Sequence, residues 1–195
     1  MIMHFRELVT RCRSYRRFDE SVPVTEDALR DLVELACYTP SAKNLQPLKF
    51  ILLSEPEEVV AALFPLLTWA GYLPHWPGPA EGERPRGYIV MLGDLRISSE
   101  FACDSGIAAQ TILLGATDSA LGGCIIASLQ KEKIRELLKI PEVFSILLVI
   151  ALGKPVETVV IDQMEDNGSV HYFRDSNAIH HVPKRVVDDL LLKFN

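Results

Sequence analysis

Apolar residues recur every three or four positions in several stretches of the chain, which is the spacing of an amphipathic helix. The clearest stretch is residues 23–40, where Ala28, Leu29, Leu32, Val33 and Ala36 form one face. Thr25 is suited to cap its first turn, and Pro40 is suited to end it. The same spacing predicts further helices over residues 3–12, over 56–70 with a kink or break at Pro65, and over 129–140.

A longer segment, residues 98–123, is apolar around most of its circumference and begins with Ser98 or Ser99. A helix of this kind is normally buried at the centre of a domain. It carries several small residues: Gly106, Ala108, Ala109, Gly115 and Ala116. These small side chains predict close approach of the neighbouring elements.

Three apolar runs have the length of buried strands rather than helices: residues 48–53, 88–94 and 144–153. A shorter apolar piece, residues 124–128, follows Gly122 and Gly123. Strands that alternate with helices predict a layered domain, either α/β or α+β. The pattern alone does not set the directions in which the strands pair.

Two regions lack this regular pattern. Residues 72–87 contain four prolines and three glycines, which predicts a surface loop. Residues 156–181 have weak periodicity apart from the run 158–161, and an amphipathic segment follows over 183–194, with Pro183 at its first helical position. We therefore expect one domain over residues 1–195, in which residues 156–195 form an arm that packs on another surface, such as a partner subunit.

Composition narrows the class of protein. The 195 residues carry a formal net charge of −6, which disfavours binding to nucleic acid or to an acidic membrane. No apolar run approaches the roughly 20 residues of a membrane helix, and the first residues lack the apolar core of a signal peptide. Four scattered cysteines, with no closely spaced pair, are typical of reduced thiols. These features predict a cytoplasmic protein.

Common catalytic motifs are absent from the sequence. It contains no GxGxxG after a strand, no phosphate-binding GxxxxGK[ST], no HExxH and no GxSxG. The tripeptide Asp104–Gly106 lies inside a predicted helix, which disfavours a serine nucleophile there. His171, His180 and His181 lack suitably spaced partners, so we expect no metal site.

Three polar clusters remain as candidate binding sites. Arg13, Ser14 and Arg16 offer the forked cations and the hydroxyl group that bind phosphate. The loop over residues 40–47 offers hydroxyl and amide groups that match the edge of a heterocycle. Lys184 and Arg185, at the predicted start of the last helix, form the third cluster. Taken singly, the three clusters are more often a solvated basic face, a turn and an exposed helix start, respectively, than a binding site.

The order of these clusters resembles the nitroreductase family of FMN-dependent oxidoreductases. The resemblance rests on RSYRRF at residues 13–18 and PSAKNLQP at 40–47, supported by DSGIAAQTILLGATDSALGGCII at 104–126, ALGKP at 151–155 and PKR at 183–185. It implies an α+β fold with a central, mainly antiparallel mixed sheet flanked by helices. It also implies a homodimer with FMN at the interface, in which the C-terminal extension embraces the partner subunit.

The resemblance also implies which residues contact FMN. Arg13, Ser14 and Arg16, with Lys184 and Arg185, would bind the phosphate end. Pro40, Ser41, Ala42 and Asn44 would come from the other subunit and face the ring, with Gln46 supporting that loop. The backbone of Gly123, Cys124, Ile125 and Ile126 would approach the flavin N5 edge. The chain departs from the family at Cys12, where arginine is frequent, and at Ala127, where glycine is frequent.

The activity implied by the resemblance is transfer of hydride from NAD(P)H through FMN to a small organic acceptor, such as a nitroaromatic or a quinone, by a ping-pong mechanism. This chemistry belongs to the cofactor, which agrees with the lack of an evident acid, base or nucleophile. The alternatives are a dehalogenase, ring oxidase or flavin-fragmenting enzyme of the same superfamily, a flavin-binding redox sensor, and a scaffold without flavin. Residues 72–87 are expected to shape substrate access.

Overall fold

The structure is a computed structural model that describes residues 4–164 and 168–192. The chain divides into two compact units. The first unit comprises residues 4–69 and 77–156 of the described chain, and the second comprises residues 70–76, 157–164 and 168–192. The two units are described separately below.

The first unit contains five α-helices among its described residues: α1 (Phe5–Arg11), α2 (Glu26–Cys37), α3 (Glu57–Leu63), α4 (Ala102–Asp118) and α5 (Lys131–Leu138). The predicted cap of α2 is confirmed, because the Thr25 hydroxyl accepts a hydrogen bond of 3.2 Å from the Ala28 N–H. The predicted break at Pro65 is also confirmed, since α3 gives way to a 3-10 turn, Phe64–Leu66. The helix predicted over 3–12 is α1, and Met3 lies outside the described residues.

The predicted start of the central helix is wrong. α4 begins at Ala102, three residues after Ser99, because the preceding residues form a turn around Asp94. The Asp94 carboxylate accepts the Arg96 N–H at 3.1 Å, and the Asp94 carbonyl accepts the Ser98 N–H at 3.2 Å. The Glu100 N–H then donates to the Ser98 hydroxyl at 3.0 Å, so residues 94–100 form turns and the helix starts only at Ala102.

The main sheet has five strands: β1 (Phe18–Asp19), β2 (Leu48–Leu53), β3 (Gly87–Asp94), β4 (Gly122–Ile126) and β5 (Phe144–Pro155). β2 pairs with β3, β3 pairs with β5, and β5 also pairs with β4 and β1. Every one of these pairs is antiparallel. Residues 149–152 of β5 pair with β3 and with β4, so β5 lies between them. The three predicted strands and the α+β fold are confirmed, although only Leu53 of β2 is fully buried. The glycine pair and the apolar residues after it form a further short strand, β4.

The core of the first unit lies between this sheet and the helices α2 and α4. It contains Leu29, Leu32, Ala36, Ile89, Met91, Ala108, Ile112, Ala116, Ile150 and Leu152. A Cβ on Gly115 would lie 2.3 Å from Leu35 Cδ1 of α2, so this glycine permits the close approach that the sequence predicts. The same prediction is wrong for Gly106, where nothing lies within 4 Å of a Cβ.

The second unit is built on a three-stranded sheet in the order β6 (Val159–Gln163), β8 (His180–Lys184) and β7 (Phe173–Arg174). β6 and β8 pair in parallel, and β7 is antiparallel to β8. The short helix α6 (Val187–Leu190) follows. The prediction that Pro183 begins the last helix is wrong, because Pro183 pairs with Asp162 inside β8. Residues 193–194 of the predicted amphipathic segment lie outside the described residues.

No helix in the described ranges combines the length and the apolar character that crossing a membrane requires.

Candidate functional site

The segment that carries Arg13, Ser14 and Arg16 runs directly beside β4. Ser14 pairs with Gly123 in an isolated parallel bridge, and the Tyr15 N–H donates to the Gly123 carbonyl at 3.0 Å. Two segments that the sequence predicts for one site, residues 13–16 and residues 123–126, therefore lie side by side.

Arg13 holds a partly buried guanidinium group with one unused donor. Its Nη2 donates to the Val9 carbonyl at 2.9 Å, whereas its Nε is buried and has no hydrogen-bond partner within the described ranges. A buried N–H without an acceptor is unfavourable, and an anion is the natural partner for a cationic donor. Arg16 Nη1 donates to the Ser14 carbonyl at 3.2 Å, so the second arginine of the motif also folds back over the serine. The donor set fits a phosphate group.

Close packing explains the glycine at position 123. A Cβ there would lie 2.5 Å from the Ala151 carbonyl oxygen of β5 and 2.8 Å from Leu113 Cδ2 of α4. Only a residue without a side chain lets β4 approach both neighbours at once. Of the residues that follow, Cys124 and Ile126 are buried, and Ile125 is 38% exposed. Residues 123–126 thus offer backbone and one partly open side chain.

Cys12, where the family frequently has arginine, belongs to the core rather than to a surface. It is buried, and its Sγ accepts a hydrogen bond from Gln110 Nε2 of α4 at 3.7 Å. The basic character of this segment therefore comes from its neighbours in the chain, Arg13 above all, and not from position 12.

The loop over residues 40–46 folds into a compact structure of its own. The Ser41 hydroxyl accepts the Gln46 N–H at 3.0 Å, and Gln46 Nε2 donates to the Asn44 carbonyl at 3.2 Å. Lys43, Asn44 and Gln46 all have left-handed backbone conformations, with φ near 51°, 55° and 51°. Pro40, Ala42, Asn44 and Gln46 are exposed, whereas Ser41 is partly buried and its hydroxyl is bonded within the loop.

Sequence reasoning missed Asp104, which joins this loop to α4. Its Oδ1 accepts the Ala42 N–H at 3.0 Å, and the side chain is buried. Asp104 also lines a cleft of about 280 Å³ together with Pro40, Ser41, Gln46 and Lys49. A single acid in the first turn of an otherwise apolar helix was the signal for it.

The structure does not bring the loop and the β4 segment together. The loop contacts α4 at Asp104, whereas Gly123 lies against Leu113 of the same helix. The two contact points are nine positions apart, which corresponds to about 14 Å along the helix axis. Within the first unit of a single chain, the predicted site residues therefore form two separate clusters.

The third predicted cluster belongs to the second unit. Lys184 is the last residue of β8, and Arg185 follows it; both side chains are exposed. The prediction that they begin the last helix is wrong, because the pairing of Gln163 with Lys184 extends the strand to this point.

The proline-rich loop over residues 72–87 divides between the two units. In the first unit, Glu83 forms a two-pronged ion pair with Arg17, and the Glu20 carboxylate accepts the Gly82 N–H at 2.6 Å. In the second unit, the Tyr72 ring stacks on His171 with centroids 4.3 Å apart. Both halves are tied to neighbouring elements.

The histidines make contacts of their own that differ from metal coordination. His181 Nδ1 lies 2.8 Å from Asp162 Oδ2, while its Nε2 lies 3.6 Å from Asp175 Oδ2. Hydrogen bonds from the Ile179 and Asn177 N–H groups lower the pKa of Asp175. Among the described residues there is no group of three or more His, Cys, Asp or Glu side chains placed to hold a metal ion.

Comparison with known proteins agrees with the arrangement of these segments. The sequence profile of the nitroreductase family matches residues 9–71 and 85–154. A protein of Bacillus subtilis (strain 168) that is named "Putative NAD(P)H nitroreductase YodC" is 25% identical over 174 residues, covering 74% of this chain and 86% of YodC. The NADPH-flavin oxidoreductase of Vibrio harveyi is 26% identical over 166 residues, covering 76% of this chain but only 65% of that protein.

Similarity in three dimensions leads to the same family. An FMN-dependent nitroreductase from Clostridium difficile R20291 superimposes with a TM-score of 0.62 at 26% sequence identity, over 77% of this chain and 87% of that one. The family profile covers both the arginine-serine segment and the strand that it lies against, as well as the loop held by Asp104. The family predicted from the sequence is confirmed: the chain belongs to the nitroreductase family.

Proposed function

We propose that this protein is an FMN-dependent oxidoreductase that oxidises NADH or NADPH and reduces a small organic acceptor. The observation that carries the proposal is the buried Arg13 Nε, which lacks an acceptor beside Ser14 and β4. Family membership supports the same activity, as do relatives named as an NAD(P)H nitroreductase and an NADPH-flavin oxidoreductase.

The proposed phosphate site consists of Arg13, Ser14 and Arg16. The first arginine supplies the unused Nε donor, and the second is already folded over the Ser14 carbonyl. A guanidinium group binds phosphate through charge-assisted hydrogen bonds, which are about twice as strong as neutral ones. Lys184 and Arg185 supply further positive charge in the proposed assembly, because both are exposed.

The proposed ring site uses backbone from residues 123–126 and the loop over residues 40–46. When bound, FMN supplies the hydride and electron chemistry, whereas the protein binds and orients the reactants. The small residue at position 123 keeps the strand close to its neighbours, and the loop exposes Asn44. These residues need no acid or base of their own for that role.

A homodimer would complete the site. Within one chain, the loop and Gly123 form separate clusters whose contacts with α4 lie about 14 Å apart along the helix. We propose that the loop belongs to the flavin of the second subunit. Exposed apolar side chains on and after α2 support an interface there: Leu35 is 40% exposed, Tyr38 77% and Leu45 43%.

We propose nitroaromatics and quinones as acceptors, with the oxidised nucleotide leaving before the acceptor binds. Planar acceptors of this kind suit a site whose polar groups come from a loop and a strand backbone rather than from charged side chains. Initial rates measured at several fixed acceptor concentrations should give parallel double-reciprocal lines, the pattern of a ping-pong mechanism. Intersecting lines would show that both substrates bind together.

The decisive experiment measures FMN binding in purified protein and its reduction by nucleotide. Arg13→Ala should weaken FMN binding about 10- to 100-fold, because one charge-assisted contact contributes roughly 1.5–3 kcal/mol. Arg16→Ala should weaken it in the same direction. Arg6→Ala, which removes an exposed charge of α1, is the matched control and should bind FMN as the unaltered protein does.

Anaerobic addition of NADH or NADPH should bleach the absorption of the bound flavin. Equal FMN affinity in the Arg13 and Arg6 variants would remove the proposed phosphate site. Bound flavin that neither nucleotide reduces would instead favour the flavin-binding redox sensor. Protein that binds no FMN at all would favour the flavin-free scaffold.

A further inference from the structure

Asp104 is an unusual buried acid in this chain. Its side chain lies in the first turn of α4 and is only 4% exposed. The buried acids Asp94 and Glu157 each form an ion pair with an arginine, Arg96 and Arg174 respectively. Asp104 has no ion pair anywhere in residues 4–164 and 168–192.

Only half of the Asp104 carboxylate is used. Oδ1 accepts the Ala42 N–H at 3.0 Å, while Oδ2 is buried without a hydrogen-bond partner in the described part of the chain. Burying a polar oxygen without a partner costs free energy. An apolar residue at this position would avoid that cost. The carboxylate therefore points to a role outside the stability of the fold.

The loop that Asp104 contacts needs an external support. Three of its non-glycine residues, Lys43, Asn44 and Gln46, have left-handed backbone conformations, each of which costs on the order of 1 kcal/mol. The other hydrogen bonds described for residues 41–46 stay within the loop, including the Asn44 N–H to the Ser41 carbonyl at 2.9 Å. The bond from Ala42 to Asp104 is the one that reaches another element.

We propose that Asp104 is a positioning residue that holds the loop over residues 40–46 in its binding conformation before any cofactor arrives. By fixing the Ala42 N–H to the start of α4, it holds the fold of the loop and keeps Asn44 exposed, so binding does not have to order the loop. The consequence for FMN rests on the proposed function, whereas the effect on the loop does not.

Asp104→Ala removes the acceptor and should release the loop. Backbone amides of residues 41–46 should exchange with deuterium at least about tenfold faster in cofactor-free protein, since a hydrogen bond to a charged group of roughly 1.5–3 kcal/mol is lost. FMN binding should weaken about 10- to 100-fold for the same reason. The melting temperature should fall by no more than about 3–12 °C, which is the size expected from loss of this one hydrogen bond in a chain of this length.

Two further variants show whether the effect of Asp104→Ala comes from the lost hydrogen-bond acceptor, from the lost charge, or from removing any acidic residue of α4. Asp104→Asn keeps an oxygen that can accept the Ala42 N–H, so it should restore loop protection and bring FMN affinity to within about threefold of the unaltered protein. Asp118→Ala removes an exposed carboxylate from the last turn of the same helix and should change neither readout. The absorption spectrum of the bound flavin should shift in Asp104→Ala alone.

The results distinguish this proposal from the proposed function. Unaltered protein that binds no FMN would contradict the function, yet the exchange of residues 41–46 in the variants would still test Asp104. Unchanged loop exchange in Asp104→Ala would overturn the proposal. So would an Asp104→Asn variant as defective as Asp104→Ala, since the charge and not the acceptor would then matter. If Asp104→Ala does not fold, the proposal is overturned as well, because the carboxylate would be structural.

Discussion

Replacing Gly123 by alanine tests whether β4 is fixed between β5 and α4 by contact of its backbone. The added methyl group would lie 2.5 Å from the Ala151 carbonyl oxygen and 2.8 Å from the Cδ2 atoms of Leu113 and Leu152. Leucine side chains can rotate, but the carbonyl oxygen belongs to the central strand and cannot move without moving β5. We therefore expect β4 itself to shift.

The size of the effect follows from opposing contributions. Burying one methyl group stabilises by about 0.8 kcal/mol, and the lower entropy of the unfolded chain adds about 0.4–1 kcal/mol. Forcing a methyl group into filled space typically destabilises by a net 1–3 kcal/mol after such gains. In a chain of this size, each kcal/mol lowers the melting temperature by about 2–4 °C, so Gly123→Ala should melt about 2–12 °C lower.

The assay is thermal and urea unfolding of cofactor-free protein, with Gly106→Ala as the matched control. Gly106 lies in α4, and nothing is within 4 Å of its Cβ position, so the same chemical change should stabilise the protein by about 0.5–1 kcal/mol. The Gly123 carbonyl also accepts the Tyr15 N–H, which holds the neighbouring Ser14 beside β4. A shift of β4 should therefore displace the proposed phosphate site, so Gly123→Ala should also weaken FMN binding. A Gly123→Ala protein as stable as the Gly106→Ala protein would refute the reasoning about β4.

Two smaller predictions concern other parts of the first unit. Arg96 donates to Asp94 from Nε at 2.8 Å and from Nη2 at 2.6 Å, and it lowers the pKa of Asp94 to about 2, below the ordinary value of roughly 3.9. The stabilisation from this ion pair is therefore complete above about pH 4 and lost as the pH falls towards 2. Arg96→Ala should reduce the loss of free energy of unfolding, measured with urea, between pH 5 and pH 2. If that pH dependence is unchanged in the variant, the Arg96–Asp94 pair is not its cause. Thr25→Ala should destabilise by about 1 kcal/mol through loss of the α2 cap, whereas Thr25→Ser keeps the hydroxyl and should melt close to the unaltered protein; equal losses in both variants would show that the hydroxyl is not the stabilising group.

The elements that local sequence decides were the ones predicted well. α2 has its stripe of apolar residues, its Thr25 cap and a proline beyond its end, and each of these acts over a few positions. β2 and β3 are mainly apolar runs, interrupted in β2 only by Lys49. For such elements the pattern alone is sufficient, because the side chains within one segment determine both the conformation and the buried face.

The elements that depend on distant pairing were the ones missed or misplaced. β4 has only five residues, two of them glycine, and it is a strand because Ile125 pairs with Ile150 of β5. Lys184 belongs to a strand because it pairs with Gln163 of β6. The local preference of Pro183 predicts a helix start, but in the structure it pairs with Asp162 of β6 inside β8. Among the described residues, β7 pairs with β8 only at His180 and His181, so at Pro183 the strand β8 has β6 as its one neighbour. No window of neighbouring residues contains this information.

The residues of the candidate site also fall into two groups: those that residue type alone predicts and those whose role depends on the fold. Arg13, Ser14 and the loop from Pro40 to Gln46 could be proposed from their residue types, since phosphate and heterocycles need such groups. Asp104 could not, because its significance depends on burial and on contact with an amide 62 positions earlier in the chain. Sequence chemistry identifies the groups that face a ligand better than the groups that hold them in place.

The position of β5 has a consequence for how the protein is made. β5 is the last strand of its sheet in chain order, yet β1, β3 and β4 all pair with it. Translation from Phe18 to Phe144 takes about 6 to 25 s at usual rates of synthesis. Before β5 emerges, β2 and β3 can pair only with each other, so the remaining edges of β1, β3 and β4 are open to aggregation. The sheet closes when one late segment arrives, so we expect the nascent chain to need protection until β5 has emerged.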